Sequence, residues 1–503
     1  MPQGDRSYPR LVPAGSESGR FWFVVILLSA VALGLRLPNL NQSLWIDEAG
    51  SLAQATASDF TAASRGDVHP PLFGAMLRLG LKITPSIAVL RLFSVACGLG
   101  LLALAAIALR RSPAAVVVAG AIIVALPELV FHSSELRSYS LLYLLLAAAL
   151  ALSVSIADGS GGTRSRISLM LVLVGAAATH LVTVFFLFAI IPLVFWPVRG
   201  QGFRAGIFAL LPLVPSGLLL LWFRFAFVTQ PSDLAGGWWM PPASAATVWN
   251  SVLEVTGWND VQWLAAACAR RVAVAIWLVP AAAAGGLALS IWTAWGHRHG
   301  KPLALGLLVS ALSYLGVIVV YSVWFEPVVM ARTLVPALLP FIAGLAWGIG
   351  SHPVAWRRQF AAAAIVAYMT LAVLPTVRRS LTPIGGLRGL AAEIYSARRP
   401  EDAVVLFRSL DYGLAPYGVG SATTEILYFD QTAATEIRRA ELRKRLAQID
   451  PSARVLLAYR EDYYYFEYRR VFDTVLADLA TGGRTARVLW HENDLTLLVA
   501  APK

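Results

Sequence analysis

Long apolar runs recur along the sequence, and their length decides what the chain can fold into before any single residue is considered. They occupy residues 21–38, 86–109, 113–130, 139–157, 204–228, 266–293, 302–324, 328–350 and 357–377. A helix of about 20 mainly apolar residues crosses a hydrocarbon core of about 30 Å, so each run can span a membrane. A longer run, 166–198, carries Arg164 and Arg166 at one end and Arg199 and Arg204 at the other. If both basic ends share a side, this run goes out and back with its turn near Thr179 and His180, and the total is about eleven spans. Hydrophobic residues make up 57% of the 503 and charged residues 14%, which excludes a soluble globular protein. The fold class is a polytopic α-helical membrane protein. The formal charge of +12 would suggest nucleic acid in a soluble chain. Here the cations punctuate apolar runs and report topology, so no nucleic-acid partner is expected.

The basic residues also orient the chain. Arg110 and Arg111, the 163–166 stretch, Arg199 to Arg204, His297 to Lys301, and Arg357 with Arg358 fall on one side when the spans alternate. The positive-inside rule makes that side the cytoplasm. Residues 69–83 are apolar but short and carry Arg78 and Lys82, so they read as a re-entrant or interfacial helix against the outer face. The run beginning at Phe21 has no small-residue cleavage site and is expected to be a retained helix. After Arg379 the hydropathy falls. Four β-rich runs (Ala403 to Phe407, Ala453 to Tyr459, Arg487 to Trp490, Leu495 to Val499) alternate with helical stretches at Thr435 to Gln448 and Val471 to Thr481, the pattern of a small α/β unit. The expected organisation is a cytoplasmic tail over 1–20, a membrane domain over 21–380 and an extracytoplasmic α/β domain over 381–503. Cys97 and Cys268 sit in apolar stretches and read as small core residues.

Acidic residues are scarce where chemistry would need them. Of the 29 Asp and Glu residues, 16 follow residue 384. Most of the remainder fall in external loops: Asp47, Glu48, Asp59 and Asp67 in the first, Glu128 and Glu135 around the second, then Asp233, Glu254, Asp260 and Glu326.

Four external constellations carry candidate chemistry. In WIDEAGSLAQA, Asp47 and Glu48 follow the first span. Adjacent side chains diverge, so one carboxylate can face a substrate while the other binds a cation or orients the loop; equally, Asp47 could cap a short helix. In DVHPPLFG, His69 precedes two prolines suited to a helix start, and it could meet a phosphate, ligate a metal or serve as an interfacial side chain. In HSSELRSYSL, Arg137 stands between Glu135 and Tyr139. Its guanidinium fork matches phosphate oxygens, with the tyrosine hydroxyl as a further donor and the glutamate as orienting group; an interfacial anchor is the other reading. In FEPVVMARTLVPALLP, Arg332 lies inside an apolar run, where an ionisable residue is a functional candidate unless it snorkels to the headgroups. His180 joins this set, and the Trp-rich stretch Gly236 to Pro242 is an aromatic belt or a platform for a sugar or prenyl chain.

Taken in order, Asp47-Glu48, His69-Pro70-Pro71-Leu72, Glu135-Leu136-Arg137-Ser138-Tyr139, Thr179-His180 and Arg332 with Pro336 and Pro340 resemble the motifs of the GT-C superfamily of membrane glycosyltransferases. The similarity is to the branch containing protein O-mannosyltransferases and aminoarabinose (lipid A) transferases, and it covers the first 340 residues. Leu181 departs from it, because many relatives carry a tyrosine after the histidine. The resemblance implies a multi-pass protein of a bacterial inner membrane that transfers a sugar, with inversion, from a polyprenyl-phosphate donor to a glycan, lipid or protein acceptor on the external face. It makes Asp47 the general base, with Glu48 beside it. Arg137, Tyr139, Arg332 and His69 bind the donor phosphate, and Glu135 and His180 support them. A divalent cation, if one is used, would fall to Asp47, Glu48 and His69. The alternative from another class is a transporter or flippase of lipid-linked sugars, for which matched internal repeats are expected; the sequence shows none.

Overall fold

The computed structural model of the chain describes residues 16–65, 69–195, 203–226, 243–296, 301–381, 386–407, 410–419, 424–427, 449–450, 452–460, 475–492 and 495–502. Among these, eight helices are long and apolar enough to cross a membrane. They are α1 (Ser16–Arg36), α5 (Ile87–Leu109), α8 (Tyr139–Ala157), the continuous pair α11 (Phe203–Leu210) and α12 (Val214–Ala226), α15 (Arg270–Gly296), α16 (Lys301–Trp324), α17 (Ala331–Gly350) and α18 (Ala355–Leu381). The remaining expected crossings form shorter helices: α6 (Pro113–Ala125), α9 (Thr163–Thr179) and α10 (Thr183–Phe195). The molecule is therefore a polytopic helical membrane protein with a small sheet domain after its last long helix. One apolar core runs through α6, α8, α9, α10, α16, α17 and α18.

Two of the apolar runs break, each for a local reason. The run 113–130 ends as a helix at Ala125 because Pro127 has no N–H for the Ile123 carbonyl and forces Leu126 into an extended conformation (ψ 121°). A short helix, α7 (Pro127–His132), then continues. The open carbonyls of Ile123 and Val124 are taken by Arg36 at 3.1 and 3.2 Å. Arg36 lies fully buried at the end of α1 and also donates to Ser133 and the Ala32 carbonyl. The run 166–198 breaks at Thr179–His180 as its polar pair suggests, with His180 extended (φ −160°, ψ 138°). Both halves pack on α8.

Between α1 and α5 the chain folds into three short helices, α2 (Ile46–Thr56), α3 (Phe60–Arg65) and α4 (Leu72–Ile83). With twelve residues, α4 is too short to cross. Arg78 ties it to α2 through the Ala55 and Ala57 carbonyls. Two further short helices, α13 (Ala245–Val255) and α14 (Trp258–Ala267), precede α15.

The last unit is a five-stranded sheet in the order β2-β1-β3-β5-β4, from β1 (Ala403–Phe407), β2 (Thr424–Leu427), β3 (Val455–Arg460), β4 (Arg484–Glu492) and β5 (Leu495–Pro502). β1 runs parallel to β2 and β3, and β5 antiparallel to β3 and β4. Four of these strands match the β-rich runs of the sequence; β2 was not among them. Strand alternation gives two apolar faces. Val404, Leu406, Leu456, Ala458, Leu497 and Val499 pack under α19 (Gly386–Ala397) and α20 (Leu410–Leu414). Val405, Val455, Leu457, Leu498 and Ala500 meet the helix at 475–481. The Trp-rich stretch 236–242, the helical stretch 435–448, the first residues of 471–481, Asp67 and Asp233 lie outside the described residues.

Candidate active site

Helix α2 presents each of its faces to a different neighbour. Trp45, extended at ψ 168°, is the N-cap, so the N-cap position considered for Asp47 falls two residues earlier. Asp47 and Glu48 lie in the first turn, where the helix dipole favours carboxylates. Successive helical side chains diverge by about 100°, and this separates the pair completely.

Glu48 points inward and is fully buried. Its oxygens accept from Arg91 Nε at 2.8 Å and Nη2 at 2.5 Å, from the Leu136 N–H at 2.6 Å and from the Trp45 N–H at 3.2 Å. Arg91 also donates to the carbonyls of Asn39, Leu40, Gln42 and Ser43, and so ties the segment between α1 and α2 to α5. Glu48, expected beside Asp47 in catalysis or metal binding, spends both of its oxygens on these four hydrogen bonds. Among the described residues no three His, Cys, Asp or Glu side chains converge as metal ligands; of the metal set that the resemblance implies, Glu48 is bound to Arg91 and Asp47 lies against Arg332.

Asp47 points the other way and keeps 30% of its side chain exposed. Its carboxylate lies 3.2 Å from Arg332 Nη1 and 3.9 Å from Arg137 Nη2. Arg332 projects from the first turn of α17. The carbonyl of Arg332 is the one that Pro336 cannot bond within the helix, and Tyr143 Oη donates to it at 2.9 Å. Arg137 comes from the buried turn between α7 and α8. It donates to the Asp47 carbonyl at 3.0 Å and to Ser51 Oγ at 2.9 Å, and meets His69 Nε2 at 3.3 Å.

Glu135, expected to orient Arg137, bonds His132 Nδ1 at 2.5 Å and the Trp45 indole at 2.8 Å, while α2 and His69 contact the Arg137 guanidinium. Tyr139 contributes its ring face to the cluster: the guanidinium carbons of Arg332 and Arg137 lie 5.5 and 5.9 Å from its centroid, a cation–π arrangement. His180 packs beside that ring at 5.1 Å and against His69 at 4.7 Å. Its Nδ1 accepts the Val182 N–H at 3.1 Å, which assigns the proton to Nε2.

Asp47, His69, Arg137, Tyr139, His180 and Arg332 therefore meet in one cleft, although the chain separates its extremes by 285 positions. Sequence reasoning missed Arg91 and Arg36. Both are cations inside apolar runs, the signal by which Arg332 stood out.

The remaining face of α2 belongs to the sheet domain. Ala49 is wholly buried in that domain's apolar core, with Ile46 packed against it. Tyr417 Oη accepts the Leu44 N–H at 2.7 Å, and Arg388 donates to the Asn41 carbonyl at 3.1 Å. Gly413 admits this contact, since a Cβ there would stand 2.9 Å from Ile46 Cδ1. The sheet domain thus sits at the same end of the membrane helices as the cleft.

No protein-family model matches the sequence, and no curated protein matches it. Solved structures do match. ArnT from Cupriavidus metallidurans in the apo state aligns over 96% of this chain and 98% of its own at 14% identity, with a TM-score of 0.59. ArnT from the same organism bound to undecaprenyl phosphate aligns over 97% and 98% at 12% identity, with a TM-score of 0.57. The membrane helices and the sheet domain together have the fold of ArnT over nearly the whole chain.

Proposed function

We propose that the protein is an integral membrane glycosyltransferase that moves a sugar from a polyprenyl-phosphate donor to an acceptor hydroxyl. The observation that carries this reading is the pairing of one accessible carboxylate, Asp47, with two guanidinium groups, Arg137 and Arg332, in a cleft at one end of the membrane helices. The fold is shared with a protein whose structure holds undecaprenyl phosphate, which supports a lipid-phosphate donor. In the reaction the acceptor oxygen attacks the anomeric carbon and its proton passes to Asp47. The bond from that carbon to the phosphate oxygen breaks, and the electron pair leaves with the polyprenyl phosphate. A single displacement inverts the anomeric centre. Arg137 and Arg332 neutralise the charge that grows on the leaving phosphate. Both guanidinium groups lie against Asp47, and a phosphate that takes them over frees the carboxylate to accept a proton. By the positive-inside reading, the cleft and the sheet domain face the exterior of a bacterial inner membrane, and the acceptor is a glycan, lipid or protein there.

Asp47→Asn tests the base. General-base loss costs roughly 10²–10⁴-fold in rate, so cells carrying only this variant should accumulate a polyprenyl-phosphate-linked sugar in their lipid extract relative to wild type, read by mass spectrometry. An unchanged lipid profile with the variant at normal abundance would remove Asp47 from that role.

A further inference from the structure

A second buried cluster adjoins the cleft and takes no part in the chemistry above. His132, at the end of α7, is 2% exposed and lies between two carboxylates: Glu135 at 2.5 Å on Nδ1 and Glu128 at 3.1 Å on Nε2. With both ring nitrogens facing acceptors, only the doubly protonated imidazole satisfies the set. The other oxygen of Glu135 accepts the Trp45 indole N–H at 2.8 Å, and Trp45 is the N-cap of α2, two residues before Asp47. The chain Glu128–His132–Glu135–Trp45 therefore ends on the helix turn that aims the cleft carboxylate.

We propose that His132 is a positioning residue for Asp47, acting through Glu135 and the Trp45 indole on the first turn of α2. This rests on the reading of Asp47 as the working carboxylate. Without a proton on His132, one carboxylate would face a lone pair, and Glu135 would lose the partner that fixes it under the indole. Burial opposes the charged imidazole, but Glu135 and then Glu128 outweigh it and raise His132 to about 9. The sign follows: the proton is held at neutral pH and below, and its contribution is lost as the pH rises through about 9. The other titratable groups facing the ring are Tyr139 and Tyr143 on α8, with centroids at 4.6 and 6.0 Å, and His180 across the Tyr139 ring. Arg36 of α1 bonds the adjacent Ser133.

The test uses the full chain in lipid nanodiscs, labelled with 5-fluorotryptophan, with the Trp45 resonance assigned by its absence in Trp45→Phe. In the wild type this resonance should titrate with a midpoint near 9, and amide exchange over residues 45–52 should quicken in step. His132→Gln should abolish the titration, and Glu128→Gln, which keeps the link to Trp45, should lower its midpoint. A Trp45 signal that is flat with pH, or a midpoint indifferent to Glu128→Gln, would overturn the proposal. These readouts use no lipid or sugar, so failure of the transferase reading is registered separately, by absent undecaprenyl phosphate binding with the titration intact.

Discussion

Asp47 and Glu48 are neighbours in sequence with opposite physical situations, and this separates what each substitution should do. Glu48 is a buried carboxylate matched to Arg91, and removing one member of such a pair leaves an uncompensated buried charge at about 3–5 kcal/mol. Asp47 is partly exposed, and pairs of that kind contribute about 0–1 kcal/mol. Arg91→Met should therefore lower the thermal midpoint of the purified protein by several degrees, while Asp47→Asn leaves it close to wild type. Equal midpoints for the two variants would contradict this division. The sequence made the pair conspicuous because carboxylates are rare before residue 385. It did not reveal which of the two faced the cleft, since that depends on Arg91, which reads as one polar residue in a long apolar run. Glu135 and Arg137 are two residues apart in an irregular turn, and their partners differ: Glu135 bonds His132 of α7 and the Trp45 indole, while Arg137 bonds α2 and His69.

At the scale of elements, the breaks matter as much as the helices. The split of 166–198 was legible because both of its ends are basic, and the polar Thr179–His180 pair located the turn. The break after Ala125 was less so, although Pro127 marked it, because Leu126 to Val130 continue the apolar run. Arg36 supplies the hydrogen bonds that this break leaves open. Arg36→Met should strand the Ile123 and Val124 carbonyls at about 1–3 kcal/mol each, seen as faster amide exchange in α6 and a lower thermal midpoint. Unchanged exchange would mean that lipid or water satisfies those carbonyls and that Arg36 has another task. In the sheet domain, β-rich runs set between helical stretches marked four of the five strands, whereas β2 is four residues long and gave too short a run to read.

For the molecule as a whole, the arrangement joins three bodies at α2: the membrane bundle through Arg91 and Glu48, the cleft through Asp47, and the sheet domain through Ile46 and Ala49. Hydropathy made the membrane bundle and the sheet domain legible, but not their junction, because Ala49 and Ile46 look like ordinary residues of a short amphipathic helix. Orientation follows from the arginine-rich loops alone. A reporter fused after Lys503 should be active only outside the cytoplasm, and activity inside would reverse the placement of the cleft. Under the proposed function a lipid phosphate binds between Arg137 and Arg332, and undecaprenyl phosphate binding to the purified full chain measures this. Charge-assisted contacts contribute about 1.5–3 kcal/mol each, so Arg137→Ala and Arg332→Ala should each weaken binding roughly ten- to hundredfold, with Asp47→Asn binding at least as well as wild type. Wild-type affinity in both arginine variants would contradict the account.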